Sequence, residues 1–243
     1  WSAGGSASSN SNGSITSNVS VNTTAGFSIV SFTGNATVST VGHGLGVAPS
    51  MIILKGRIAD RNWIVGHQSE GWGKSASMDG TGTFGSQTHW NSTAPTSSVF
   101  TIEGGSNSNV NTNSAGYIAY CFAEKKGFSK AFSFSGNGNS DGSYCHLGFK
   151  ASFILGKNSD NSSENWFIFD NKRDTYNTSY QQLFPNSSTT EGTNSAQNID
   201  ILSNGFKCRS AETRFNGSGN KIVGIAFAES PFVTSTGIPT TAR

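Results

Sequence analysis

The stretch "AYCFAEKKGFSKAFSFSGNGNS", Ala119 to Ser140, holds two phrases that the chain uses elsewhere. Gly127-Phe128-Ser129 repeats Gly26-Phe27-Ser28, and Phe122-Ala123-Glu124 returns as Phe227-Ala228-Glu229. Outward from there the matches keep their order. Gly34-Asn35 returns as Gly136-Asn137, Leu45-Gly46 as Leu147-Gly148, and Ile52 as Ile154. Asn62-Trp63 returns as Asn165-Trp166, and Phe100 as Phe206. The offset drifts only from about 101 to about 106 residues, and shared residues fall on apolar strand positions and turns, so loop insertions explain the drift. The pattern predicts one β unit of about 100 residues used twice.

Composition agrees with an all-β chain. Of 243 residues, 30 are Gly, only 12% are charged, and Ser, Thr and Asn fill much of the rest. Turn formers are abundant and the residues of exposed helices are scarce. The 17 Phe, 5 Trp and 5 Tyr supply enough apolar area to offset chain entropy, which argues against disorder. The expected fold is two tandem antiparallel β-sandwich units, jelly-roll-like, with no substantial helix. Repeat 1 spans 26–125 and repeat 2 spans 126–233, followed by a tail at 234–243. Residues 1–25 fit either a linker or an edge strand, and are taken as a polar connector from a preceding unit. A chain that opens at Trp1 without Met is expected to be a processed or partial piece of something longer.

Several function classes find no support. The net charge of +2 comes from scattered basic residues, with no run beyond Lys125-Lys126, so no nucleic-acid footprint is visible. No apolar run approaches the length of a membrane helix. Cys121, Cys145 and Cys208 are odd in number and lack metal spacing, and Cys121 reads as an inert thiol in an apolar strand. His43 aligns with Cys145, and His67 with Asp170 or Asn171, so no histidine recurs; a metal site would need ligands from distant loops. Glu124 and Glu229 read as strand-end residues rather than a glycosidase pair. Gly-x-Ser-x-Gly is absent, and Gly44-Leu45-Gly46 does not lead from a strand into a helix. The sequons at Asn91, Asn161 and Asn186 are what Ser/Thr/Asn richness generates by chance.

Aromatics in polar loops are the stronger functional signal. Trp72, Phe84, Trp90, Tyr176, Tyr180 and Phe184 lie in long Ser/Thr/Asn/Gly stretches. A sugar ring offers C–H faces that stack on aromatics and hydroxyls that suit Asn and Asp. Against this, the same side chains could cap the sandwich or bury at a subunit interface, the reading favoured for Trp90 and Phe184. Trp72, Trp90, Tyr176 and Tyr180 are the candidate ligand-binding residues. No catalytic residue, cofactor or metal is expected.

The segments Gly26–Asn35, Val41–Pro49, Asn62-Trp63 and Phe122–Glu124 resemble a repeated β domain of unknown function in large tail-fibre-like virion proteins of tailed, often aquatic, bacteriophages. The opening at Val21–Val30 and the ending at Pro231–Arg243 fit the same pattern. The resemblance implies a structural or adhesion protein on the virion surface, outside the cell, contributing to host attachment. A capsid decoration or a lectin-like carbohydrate-binding module are the alternatives, and a polysaccharide-degrading enzyme ranks below them. It also implies partners: a homo-oligomer, a trimer for preference, other virion proteins and a host surface glycan, without nucleic acid or membrane insertion. The low charge and the aromatic loops offer a physical reason for such packing between chains. Phe27, Ile52, Ile53, Trp63, Phe100, Phe122 and their counterparts are expected to be mostly buried.

Overall fold

The computed structural model describes residues 4–57, 60–105 and 109–228. The chain divides into two units, one ending at Glu124 and the other beginning at Lys125, with residues 79–83 counted with the second. Both are built of antiparallel strands; the α-helix among the described residues is one turn, Thr213–Asn216.

Unit 1 contains β1 (Ser8–Asn10), β2 (Ser17–Asn22), β3 (Phe27–Thr33), β4 (Ser39–Gly42), β5 (Met51–Gly56), β6 (Trp63–His67), β7 (Lys74–Ser77), β8 (Gly85–Ser86), β9 (Val99–Ile102) and β10 (Gly116–Phe122). One sheet runs β1-β2-β3-β10-β5-β6-β7-β8, and β4 pairs with β9 in a second. Val30, Ile52, Leu54 and Ala119 from the first sheet meet Val41, Phe100 and Ile102 from the second in one core. The reading of residues 1–25 as a connector is corrected. Ser17–Asn22 pairs along β3, and Ile15 is buried and bridged to Val41, so the segment completes the sheet of unit 1. Its Val19 and Ile15 supply the apolar contacts that a solvated linker lacks.

Unit 2 contains β11 (Ser129–Ser135), β12 (Tyr144–His146), β13 (Ala151–Asn158), β14 (Phe167–Asp170), β15 (Ile199–Leu202), β16 (Gly205–Cys208) and β17 (Lys221–Ala228). Its sheets run β11-β17-β13-β14 and β12-β16-β15. Within unit 1, β3-β10-β5-β6 and β4-β9 have the same connections. The registers correspond as well. Ile52 lies opposite Cys121 and Gly66, as Ile154 lies opposite Ala226 and Phe169. Counting along these ladders puts Trp166 in the place of Trp63 and Phe227 in that of Phe122. Two details differ from the sequence alignment. Ser129, not Phe128, takes the ladder position of Phe27, and Val41, not His43, takes that of Cys145. The extra residue is absorbed beside Gly127, which like Gly26 has positive φ, 74° against 66°. The ring contact survives: Phe27 meets Phe122 at 5.0 Å, and Phe128 meets Phe227 at 5.9 Å.

Trp63 is less buried than its counterpart, half-buried where Trp166 is fully buried. Strand side chains alternate, and Ile64 takes the core side. Trp63 therefore lies on the opposite face, stacked on Tyr120 at 6.3 Å, with the Lys55 ammonium 5.8 Å from its ring centre.

The Gly-Asn turns have a deeper role than reversing the chain. Asn111, wholly buried, accepts the N–H of Asn35 through Oδ1 (2.9 Å) and donates through Nδ2 to the carbonyls of Thr37 (2.6 Å) and Glu103 (2.8 Å). Asn216, also wholly buried, accepts the N–H of Asn137 (3.1 Å) and donates to the carbonyls of Asn139 and Ser210, both 2.8 Å. Each amide ties the turn after the unit's Gly-Phe-Ser strand to the approach to its last strand. A Cβ on Gly34 or Gly136 would meet backbone oxygen at 2.4 or 2.3 Å, so only glycine permits this approach.

A lysine also recurs. Lys55 donates to the carbonyl of Arg61, and Lys157 to that of Glu164 (2.8 Å), each two residues before the tryptophan. Lys157 is wholly buried and also donates to Asn158 O (3.0 Å) and Asn161 O (3.1 Å), so its three N–H groups have three acceptors. Burial pushes its pKa from 10.5 down to about 8, against the opposing pull of Glu164. In that window the unfolded chain binds a proton that the folded chain has released, so stability from this group rises with pH. The melting temperature of the native protein, less that of Lys157→Met, should therefore grow between pH 8 and pH 10.5. A difference that stays flat across the window would show an unperturbed lysine.

Candidate functional site

Two of the four candidate aromatics are core residues. Trp90 is fully buried and Trp72 nearly so, their rings crossing edge-on at 5.5 Å, and Trp90 also meets Phe100 at 6.4 Å. Gly66 makes the room: a Cβ there would lie 2.6 Å from Trp72 and 2.7 Å from Trp90. Neither indole can offer a face to a ligand, which corrects their assignment. The need of these aromatics for burial is met inside unit 1, so they no longer argue for a neighbouring chain. Phe184 is half-buried beneath the Arg214 guanidinium, 4.7 Å from its ring centre.

The histidines of unit 1 are structural. His43 accepts the N–H of Leu45 at Nδ1 (3.2 Å) and its Nε2 lies 3.2 Å from the carbonyl of Thr96, and burial lowers its pKa. His89 Nδ1 lies 2.7 Å from Ser75 Oγ, and burial lowers its pKa against the charge of Glu103. Ser75, His89 and Glu103 have the residue types of a hydrolytic triad, but all three are buried. Glu124 accepts a hydrogen bond from the Gln68 side chain (2.8 Å), and Glu229 lies outside the described residues. Burial raises all three thiols, unpaired, to about 12. Among the described residues no group of three or more His, Cys, Asp or Glu could hold a metal ion.

Tyr176 is placed differently. After β14, Asp170 Oδ1 accepts the N–H groups of Lys172 and Arg173, both at 2.9 Å, and turns the chain outward. Asp174 Oδ2 accepts the N–H groups of Tyr180 and Gln181, both at 2.7 Å, which closes an arch over 174–181. Asn177 fastens the arch to β15 by two hydrogen bonds to the Ile201 backbone, donating at 3.0 Å and accepting at 2.9 Å. Ser179 adds a backbone pair to Ile199. Tyr176 rides the outer part of this arch, 85% exposed.

Beneath the tyrosine is a cleft of about 170 Å³, lined among others by Lys150, Asn171, Asp174, Tyr176, Ser179 and Ile201. Asn171 and Ser179 are only 8% and 1% exposed. The hydroxyl of Ser152 donates to Asn171 Oδ1 (3.2 Å), which orients the amide and leaves Nδ2 as a donor. Tyr180 is half-buried and does not line the cleft; its backbone, not its ring, serves the site by binding Asp174. Sequence reading found Tyr176 but missed Lys150, Asn171, Asp174 and Ile201. The Asp-x-x-Asn spacing of Asp174 and Asn177, two turn formers flanking an aromatic, was the available signal.

Fold and site together define an all-β protein of sandwich units with a small polar cleft beside an exposed aromatic. The chain belongs to the family described as a domain of unknown function, DUF7483, which matches residues 1–231. No curated protein and no solved structure matches it.

Proposed function

We propose that this chain is a displayed attachment module of a tailed-phage virion, whose second unit holds one sugar residue of the host surface. The observation that carries the reading is Tyr176, exposed on a hydrogen-bonded arch at the mouth of a cleft with buried polar groups. A tyrosine on a tied backbone gives a large ring face with only two side-chain torsions to order. Buried donors and acceptors beneath it fix the orientation of a hydroxylated ligand. The resemblance of the Gly26–Asn35 and Val41–Pro49 segments to virion proteins supplies the setting.

A cleft this small suits weak single-site binding. Display as a homo-oligomer, a trimer in this reading, would multiply that affinity through simultaneous engagement. The reading is of binding without hydrolysis. A glycosidase needs two carboxyl groups flanking the bond, whereas Asp174 is the carboxylate of this cleft and one of its oxygens is committed to two backbone N–H groups.

Tyr176→Ala is the direct test. It should weaken binding to host-envelope polysaccharide by about tenfold or more, equivalent to about 1.4 kcal/mol, while leaving the melting temperature in place. Undiminished binding by the variant would remove the cleft from the function.

A further inference from the structure

The geometry points to a ligand class for this cleft: a sugar carrying a 2-acetamido group, an inference that rests on the sugar-binding reading above. Three features of the lining fit the three parts of an acetamido group. Asn171 Nδ2 makes no hydrogen bond among the described residues, and the Ser152 hydroxyl on Oδ1 holds it as a donor. Asn171 is 8% exposed and lines the cleft, so an oriented N–H of this kind offers a donor that the acetamido carbonyl can accept. Asp174 uses Oδ2 for the N–H groups of Tyr180 and Gln181, and Oδ1 remains to accept the acetamido N–H. Ile201, 7% exposed, is the apolar residue of the lining and the place where the methyl group can leave water. Tyr176 is then free to stack on the ring.

Other sugars fit less completely. A neutral hexose would bond Asn171 through a hydroxyl but has no methyl group to set against Ile201. A uronic acid could draw on Lys150, but its carboxylate would share a small cleft with that of Asp174, and like charges at such range repel. The acetamido group is a neutral acceptor and donor at once, so it meets both polar groups without that penalty.

The test uses the whole chain with three methyl glycosides: N-acetylglucosamine, glucose and glucuronic acid. Saturation-transfer NMR should show the N-acetyl methyl as the most strongly saturated protons. Titration should place the acetamido sugar about tenfold or more tighter than glucose, since a site built around a donor and acceptor rejects a ligand lacking them. Tyr176→Ala, at an exposed position, should weaken the acetamido sugar without unfolding the protein. Equal binding of glucose, or tighter binding of glucuronic acid, would overturn the acetamido assignment and leave the sugar reading standing. Binding of none of the three would overturn both.

Discussion

Asn216→Ala is expected to lower unfolding free energy by about 3–4 kcal/mol, near the upper end of single-residue effects. The side chain is wholly buried, and its removal strips partners from the N–H of Asn137 and the carbonyls of Asn139 and Ser210. The bond to Ser210 is buried and those to Asn137 and Asn139 are part-buried, and a buried backbone group left without a partner costs about 1–3 kcal/mol. Asn111→Ala should behave alike, since it strips Asn35, Thr37 and Glu103. Asn216→Asp should be no gentler, because it keeps the acceptor, loses both donors and buries a charge. Denaturant titration measures all three. A loss below about 1 kcal/mol at Asn216 would mean that water or a shifted backbone replaces the amide.

Trp90→Ala is expected to cost about 3–5 kcal/mol, the range for deleting a fully buried large aromatic. The cavity would open beside Trp72 and Phe100, whose rings touch it edge-on, and Gly66 has no side chain to fill it. Trp90→Phe should be milder, because the indole N–H it removes has no hydrogen-bond partner among the described residues. Trp63→Ala should cost only about 1–2 kcal/mol, since Trp63 is half-buried and stacks on one face of Tyr120. Thermal or denaturant unfolding of the variants gives the comparison. Equal losses at Trp63 and Trp90 would contradict the sidedness of β6.

Repetition made much of the strand order legible before any coordinates. Phe122 and Phe227, Ile52 and Ile154, and the two Asn-Trp pairs all lie at matching ladder positions, because strand pairing constrains apolar residues closely. Sidedness was harder to read. A run such as Met51–Leu54 is apolar on both faces, and the sequence does not say which neighbour of Ile64 faces outward. Long-range polar contacts left no local sign at all: Asn35 and Asn111 are 76 positions apart. One clue was present, since Asn111 precedes Phe122 by the same interval as Asn216 precedes Phe227. Among the loop aromatics, burial was the favoured reading for Trp90, but polarity of the surroundings misled for Trp72, because the space that admits both is set by Gly66 on β6. The remainder of the cleft was illegible because Lys150, Asn171 and Ile201 come from three separate segments that only folding brings together.

The pairing of first and last strands in unit 2 bears on how such a chain can change length. Ser129, which opens β11, lies opposite Phe227 near the end of β17, so backbone entry and exit are neighbours about 5 Å apart. A length of polypeptide that departs and returns at almost one point can be inserted into, or cut from, a longer chain with little displacement of its flanks. Growth by whole units then carries little geometric penalty. Length variation among chains of this architecture would accordingly come in steps of about 100 residues, the size of one unit.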